Sequence, residues 1–360
     1  MRIGLVIYGS LDTISGGYLY DRKLVQYLQS QGERVEIVAL PWRSYPRHLA
    51  DKLSSAWCRR LRDLQVDLLL QDELNHPSLA WVNARLRRQV KYPLVSIVHH
   101  LRSSEDHPAW AMWLYRLVER RYLRSVEAFI YNSHTTSQAV HRLAEVETQM
   151  LVAYPAGDQL QPQVEPEEIS RRALAPGPLR ILFVGNLIPR KGLHLLLQAL
   201  AERQDCDWRL EVVGRMDADP AYAQRVRRQA ALNHLDGRVE FRGGLSAGEL
   251  SSAYRRSHVL AVPSSYEGFG IVYLEAMGFG LPALATTGGA AGEIITHGVD
   301  GFLAPAGASG AIAGLLSELC RDRQRLAGMG VAARQRYLRH PTWEQTCQSI
   351  HLFLKTLVPT

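Results

Sequence analysis

Short hydrophobic runs alternate along this chain with stretches whose apolar side chains recur at helical spacing. Strands are expected at Ile3 to Tyr8, Val35 to Ala39, Leu68 to Leu70, Leu94 to Val98, Ala128 to Tyr131 and Met150 to Ala153. Helical faces fill the intervals, as with Leu24, Tyr27 and Leu28, or Leu114, Leu117, Val118 and Tyr122. This alternation predicts a parallel sheet joined by crossover helices. It lapses from Gly157 to Pro178, where four prolines surround a short acidic segment. It then restarts at Ile181 to Gly185 and continues through Arg209 to Val213, Val239 to Phe241, Val259 to Val262 and Ala283 to Ala285. The expectation is an α/β protein of two Rossmann-like, doubly wound domains at 1–157 and 179–340, with a linker at 158–178. A closing segment, 341–360, holds a helix from about Trp343 to Leu357, started by a capping box of Thr342 and Gln345. That helix is expected to cross back to the first domain.

Composition narrows the class. A chain of 360 residues, 46% hydrophobic and 21% charged, exceeds one comfortable core and fits a two-domain globular protein. The apolar run at the start is too short for a secretory signal, and no segment approaches the roughly 18 apolar residues of a membrane span. A cytoplasmic location follows as the expectation. Cys58, Cys206, Cys320 and Cys347 are widely spaced without a C-x-x-C pair, so reduced thiols are expected. A net charge of +7 suits an anionic partner: a nucleotide, a nucleic acid or a lipid head group. Nucleic acid is disfavoured, because the arginines are not interleaved with a recognisable stacking platform.

The densest chemistry lies between Pro263 and Ala276. A strand ends at Pro263, a glycine loop turns, and a helix starts near Gly270. The backbone amides of Gly268, Phe269, Gly270 and Ile271 then suit an anion such as a diphosphate. Glu267 and Glu275 would repel phosphate, so their natural targets are hydroxyls of a ribose or a sugar ring. In the plainer reading Glu267 caps the helix and Glu275 lies on the surface. In the first domain, Gly16 and Gly17 enter a helix where substrate can approach the backbone, in a spacing that departs from a dinucleotide fingerprint. The fourth strand ends in His99-His100, whose side chains point opposite ways and make poor joint metal ligands. No Asp-x-Asp stands at a strand end, since Asp217-Ala218-Asp219 lies in a loop, and no metal site or cofactor is expected.

Pro263 to Ala276 resembles the motif of two glutamates separated by seven residues in retaining glycosyltransferases of family 4, which have the GT-B fold of two domains facing across a cleft. Phe183 to Leu193 is similar to the family's Lys-Gly segment, and the resemblance extends less sharply into the first domain. It implies transfer of a hexose-type sugar from a UDP-, GDP- or ADP-sugar to a lipid or saccharide hydroxyl. It also implies that Lys191 neutralises the leaving diphosphate, that Glu267 orients the sugar and Glu275 the ribose, and that His99 rather than His100 lies near the transferred sugar. Much of the family has arginine where this chain has Asn186, so the cationic clamp is one charge short unless Arg190 compensates.

Two alternatives stay open: a GT-B nucleotide-sugar epimerase, and a non-catalytic nucleotide-sugar or nucleic-acid binding protein. A last pattern couples aromatic and basic residues in the first domain: Trp42, Arg43, Trp57, Arg59, Arg60, Trp110, Trp113, Arg116, Arg120, Arg121 and Arg124. Trp110, Trp113 and Leu117 share one helix side, the arrangement of a segment lying on an anionic membrane surface, here the inner face. The opposing reading places the tryptophans in the core.

Overall fold

The computed structural model describes residues 1–202 and 206–358, and the chain divides into two compact units. Unit 1 comprises Met1–Pro155 with Trp343–Thr360, and unit 2 comprises Ala156–Thr342.

Unit 1 is built on β1 (Arg2–Tyr8), β2 (Arg34–Leu40), β3 (Leu68–Asp72), β4 (Leu94–Val98), β5 (Ala128–Tyr131) and β6 (Gln149–Val152), in the order β2-β1-β3-β4-β5-β6. All pairings are parallel, with Ile3 opposite Val35 on one side and Leu68 on the other. Every residue of β3, β4 and β5 is buried, as an apolar central strand covered on both faces must be. The edge strands β2 and β6 are partly exposed and mix polar with apolar residues. Helix Trp343–Leu357 belongs to this unit: Thr346 Oγ1 donates to Tyr154 O at 2.7 Å, and His351 Nε2 lies 2.6 Å from Glu33 Oε1. Pro359 and Thr360 lie outside the described residues.

Unit 2 contains β7 (Leu179–Val184), β8 (Trp208–Val213), β9 (Val239–Gly243), β10 (Val259–Ala261), β11 (Ala283–Thr286) and β12 (Gly301–Ala304), in the order β12-β11-β10-β7-β8-β9. These strands are also parallel. β12, a four-residue strand opening on glycine, lies outside the strands expected from the sequence. Each sheet reverses its strand order once, between β1 and β3 in unit 1 and between β7 and β10 in unit 2. In open α/β sheets the carboxyl ends of the strands at such a reversal form the ligand crevice.

Two expectations need correction. The stretch 158–178 folds into unit 2, with helix Pro166–Leu174 burying Ile169 and Ala173. Its prolines start that helix at Pro166, where the missing N–H costs nothing, and flank it elsewhere. The second correction concerns cysteine: Cys206 and Cys320, 114 residues apart, form a disulfide with a Cα–Cα distance of 6.3 Å, while Cys58 and Cys347 are free and buried. Sequence spacing carries no sign of a bridge between residues so far apart. The bridge also removes the cysteine argument for a reducing compartment.

Candidate active site

In unit 2 the loops after β7 and β10 meet at the reversal point. Ser265 N donates to Arg190 O at 2.8 Å, joining the two loops through the backbone. Lys191 ends a short 3-10 turn, Pro189–Lys191, and its Nζ lies 2.5 Å from Glu267 Oε1. Arg190 Nη1 lies 3.5 Å from Glu267 Oε2 and donates to Tyr266 O at 2.8 Å. Ser264 Oγ donates to Glu267 Oε1 at 2.6 Å, and Glu267 pairs through its backbone with Gly288 and Ala290. Burial alone would raise the Glu267 carboxyl, but Lys191 and Arg190 outweigh it and hold the group at about 2. Burial pushes Lys191 down, against the pull of the same glutamate. Glu267 is thus a fully ionised carboxylate inside a cationic pocket.

The loop then passes through buried Gly268 and Phe269 to Gly270, which starts helix Ile271–Gly278 at φ +100°. Only glycine tolerates that backbone here, since a Cβ would run into the Tyr273 ring. Glu275, one turn further on, is buried; Tyr254 Oη donates to its Oε2 at 2.9 Å, and Gln159 Nε2 donates to its Oε1. Burial raises the Glu275 carboxyl, and the two donors oppose the rise. Neither glutamate therefore follows the plainer reading: Glu275 is not on the surface, and the helix has no side-chain cap. Asn186 follows β7 and closes a turn, its carbonyl accepting from Ile188 N at 2.9 Å.

In unit 1 the reversal point gathers a different set. His99, after β4, places Nε2 3.2 Å from Asp21 Oδ1, and Asp21 is fully buried in helix Gly16–Ser30. Burial lowers the His99 imidazole, but the hydrogen bond and charge of Asp21 reverse this and raise it above its ordinary 6.5. Gly17 makes room for the ring, since a Cβ there would sit 3.0 Å from His99 Cδ2. Gly16, by contrast, is exposed at the helix start. His100 turns away from His99 and lies 3.1 Å from Glu105.

Two family descriptions match the chain: "Glycosyl transferase 4-like domain" over residues 16–157 and "Glycosyl transferases group 1" over residues 164–336. The chain belongs to the family 4 type of glycosyltransferase. It is 33% identical over 172 residues to a GDP-mannose-dependent alpha-(1-6)-phosphatidylinositol monomannoside mannosyltransferase of Mycolicibacterium smegmatis, covering 45% of this chain and 44% of that protein. For the relatives that match at about this identity, the chain spans roughly half their length or less. A phosphatidyl-myo-inositol mannosyltransferase of Mycobacterium leprae is 27% identical over 370 residues, covering 94% of this chain and 93% of that protein. Sucrose-phosphate synthase of Thermosynechococcus elongatus superposes with a TM-score of 0.83 at 21% identity, covering 99% and 98% of the two chains, and so shares the fold.

The candidate site also brings in residues that lie outside the sequence motifs. Asp21, Asp72, Gln159 and Tyr254 all touch or crowd the candidate site residues, as does Ser264 from within the Pro263 to Ala276 motif. Only Ser264 sits beside a motif glutamate in sequence; the others arrive from separate elements, and no spacing rule could have found them. The structure also places two donor sets in unit 1, Asp21-Asp72-His99 and Glu73-His76-Glu119, each with ligand-type atoms within 4.8 Å of one another. Burial pushes Glu73 and Glu119 up to about 7, which disfavours anionic ligands in the second set near neutrality. Asp217 pairs with exposed Arg215, and Asp219 caps helix Pro220–Leu232, so the Asp-x-Asp spacing serves local structure.

Proposed function

We propose that this glycosyltransferase moves a hexose-type sugar from a nucleoside diphosphate sugar to a hydroxyl of a lipid or saccharide, keeping the anomeric configuration and needing no divalent ion. One observation carries the reading: at the reversal point of the second sheet, Lys191 and Arg190 converge on the single carboxylate of Glu267. That triad holds one more positive than negative charge, in a buried place where an anion is favoured. The cations and the Gly268 to Ile271 amides would take the diphosphate, Glu267 a sugar hydroxyl, and Glu275, fixed by Tyr254 and Gln159, the ribose. The acceptor oxygen would form its bond to the anomeric carbon as the bond to the diphosphate breaks, and the acceptor's proton would pass to the departing diphosphate oxygen. His99, held by Asp21, would serve the sugar and acceptor side.

The relative named for GDP-mannose makes guanosine the first base to try, ahead of uridine and adenosine. Relatives named for phosphatidylinositol acceptors support a lipid acceptor, and peripheral attachment at the inner membrane face is proposed with it. Among the described residues no helix is long and apolar enough to cross a membrane. Exposed Trp42, Trp110 and Trp113 support the surface reading over a core one.

The test joins binding to transfer. GDP, UDP and ADP are compared by thermal shift, and labelled sugar from the preferred donor is followed into product with and without EDTA. A base-selective shift with chelator-resistant transfer and a retained anomeric centre is expected. Rearranged donor with no transferred sugar would mark an epimerase, and binding without turnover a non-catalytic protein. Loss of transfer in EDTA, restored by magnesium or manganese, would overturn metal independence.

A further inference from the structure

Unit 1 carries a second cationic site, apart from the reversal-point residues. An open cavity of about 680 Å³ lies between the chain just after helix Val82–Leu86 and helix Ala109–Leu123, lined by Arg87, Arg88, Arg120, Arg121, Arg124 and Leu117. Five guanidinium groups share this space. Arg87 lies 3.3 Å from Glu127, and Arg120 and Arg124 share Glu145. Arg121 stacks over Trp81 at 5.2 Å, and Arg88 meets no carboxylate among the described residues. Five cations against two exposed carboxylates leave a surplus that repels itself unless an anion enters. Arginine forks match the oxygen geometry of phosphate in a way that lysine does not.

What adjoins the cavity narrows the anion. Leu117 lies on its wall and on an exposed ridge with Trp110 and Trp113, at successive positions along one helix side, with relative exposures of 49%, 75% and 68%. A phosphate seat continuous with an unpartnered apolar ridge fits a molecule with an anionic head and an apolar tail. We infer that this cavity seats the phosphate of an anionic membrane lipid while Trp110, Trp113 and Leu117 enter the acyl boundary. The inference deepens the peripheral-membrane reading above and rests on it.

The full chain is tested by flotation with phosphatidylcholine vesicles, with and without added phosphatidylglycerol. Binding is expected only to the anionic vesicles, fading as salt rises. Exchanging two exposed cations, Arg88→Gln with Arg121→Gln, should weaken it about 30-fold, from ~1 kcal/mol per basic residue near an anionic surface. The same variant should keep its parental thermal shift with the preferred nucleoside diphosphate, which reports a folded unit 2. Trp110→Ser with Trp113→Ser should also weaken flotation, by loss of the ridge. If the arginine variant floats like the parent while the tryptophan variant does not, the cavity assignment is overturned and the membrane reading survives. Failure of the parent to float with either vesicle overturns both. Inorganic phosphate, matched in ionic strength with chloride, separates the two sources of phosphate: release from vesicles by phosphate alone would assign the cavity to a soluble phosphate and overturn the lipid.

Discussion

Both sheets bury carboxylates at their reversal points, and the two units treat them in opposite ways. In unit 2, Glu267 faces Lys191 and Arg190 and is held at about 2. In unit 1, Glu73 and Glu119 are equally buried, but their neighbours are mainly histidines and other carboxyls, and burial pushes both up to about 7. Asp72 is raised as well, by burial and by Asp21. The same architecture therefore supplies one edge that favours an anion and one that carries protonatable, nearly neutral acids. Fold sets where a ligand binds; the local balance of charge sets what kind of ligand it is.

Breaking the cationic edge should have the largest effect. Lys191→Met should lower turnover by about two to three orders of magnitude, the usual loss when a group stabilising the leaving charge is removed. It should also cost stability, because Glu267 is left buried with less compensation. Adding Glu267→Gln should recover much of the thermal midpoint without recovering transfer. Recovery of both would mean that the pair is structural and that the contrast between the two edges has no bearing on catalysis.

The unit 1 edge is probed next through the space for His99. Gly17→Ala should push the ring off Asp21 and reduce transfer about tenfold, with nucleoside diphosphate binding unchanged. His99→Ala should cost more, and His100→Ala less. Equal activity in all three variants would remove His99 from the reaction.

The smallest effect is on stability against pH. The Glu73 and Glu119 carboxyls have folded values near 7, above their ordinary 4.5, so the folded chain holds more protons between those limits. Stability from these groups is therefore greatest below about 4.5 and declines as pH rises towards 7. His76, His99, His100 and Arg102 oppose the rise in these two acids, and Glu105 adds to it for Glu73. Glu73→Gln removes one of the two, so the loss between pH 5 and 8, read from urea midpoints, should shrink by on the order of 1 kcal/mol. An unchanged pH profile would show that the acids of this edge are ionised like Glu267, and the contrast would fail.

Most strands were legible because both sheets are parallel and buried, which forces near-continuous apolar runs such as Leu94–Val98. The motif carrying Glu267 and Glu275 was legible because its loop, glycines and helix are contiguous. Tyr254 and Asp21 were not, because each meets its partner across a long sequence interval, Asp21 reaching a histidine 78 residues away. The stretch 158–178 misled for a local reason: prolines that start a helix look the same in sequence as prolines that break one. The tryptophans of helix Ala109–Leu123 were ambiguous because one apolar stripe serves equally for core and for interface.

The placement of helix Trp343–Leu357 also fixes an order of events on the ribosome. A nascent chain that has emerged as far as Thr342 holds all of unit 2 but only part of unit 1. Only after that point can Trp343 pack against Tyr20, Thr346 bond to Tyr154 and His351 reach Glu33. Vectorial synthesis usually favours the domain encoded first. Here the domain encoded within the other can complete its core before the helix that closes unit 1 has been made.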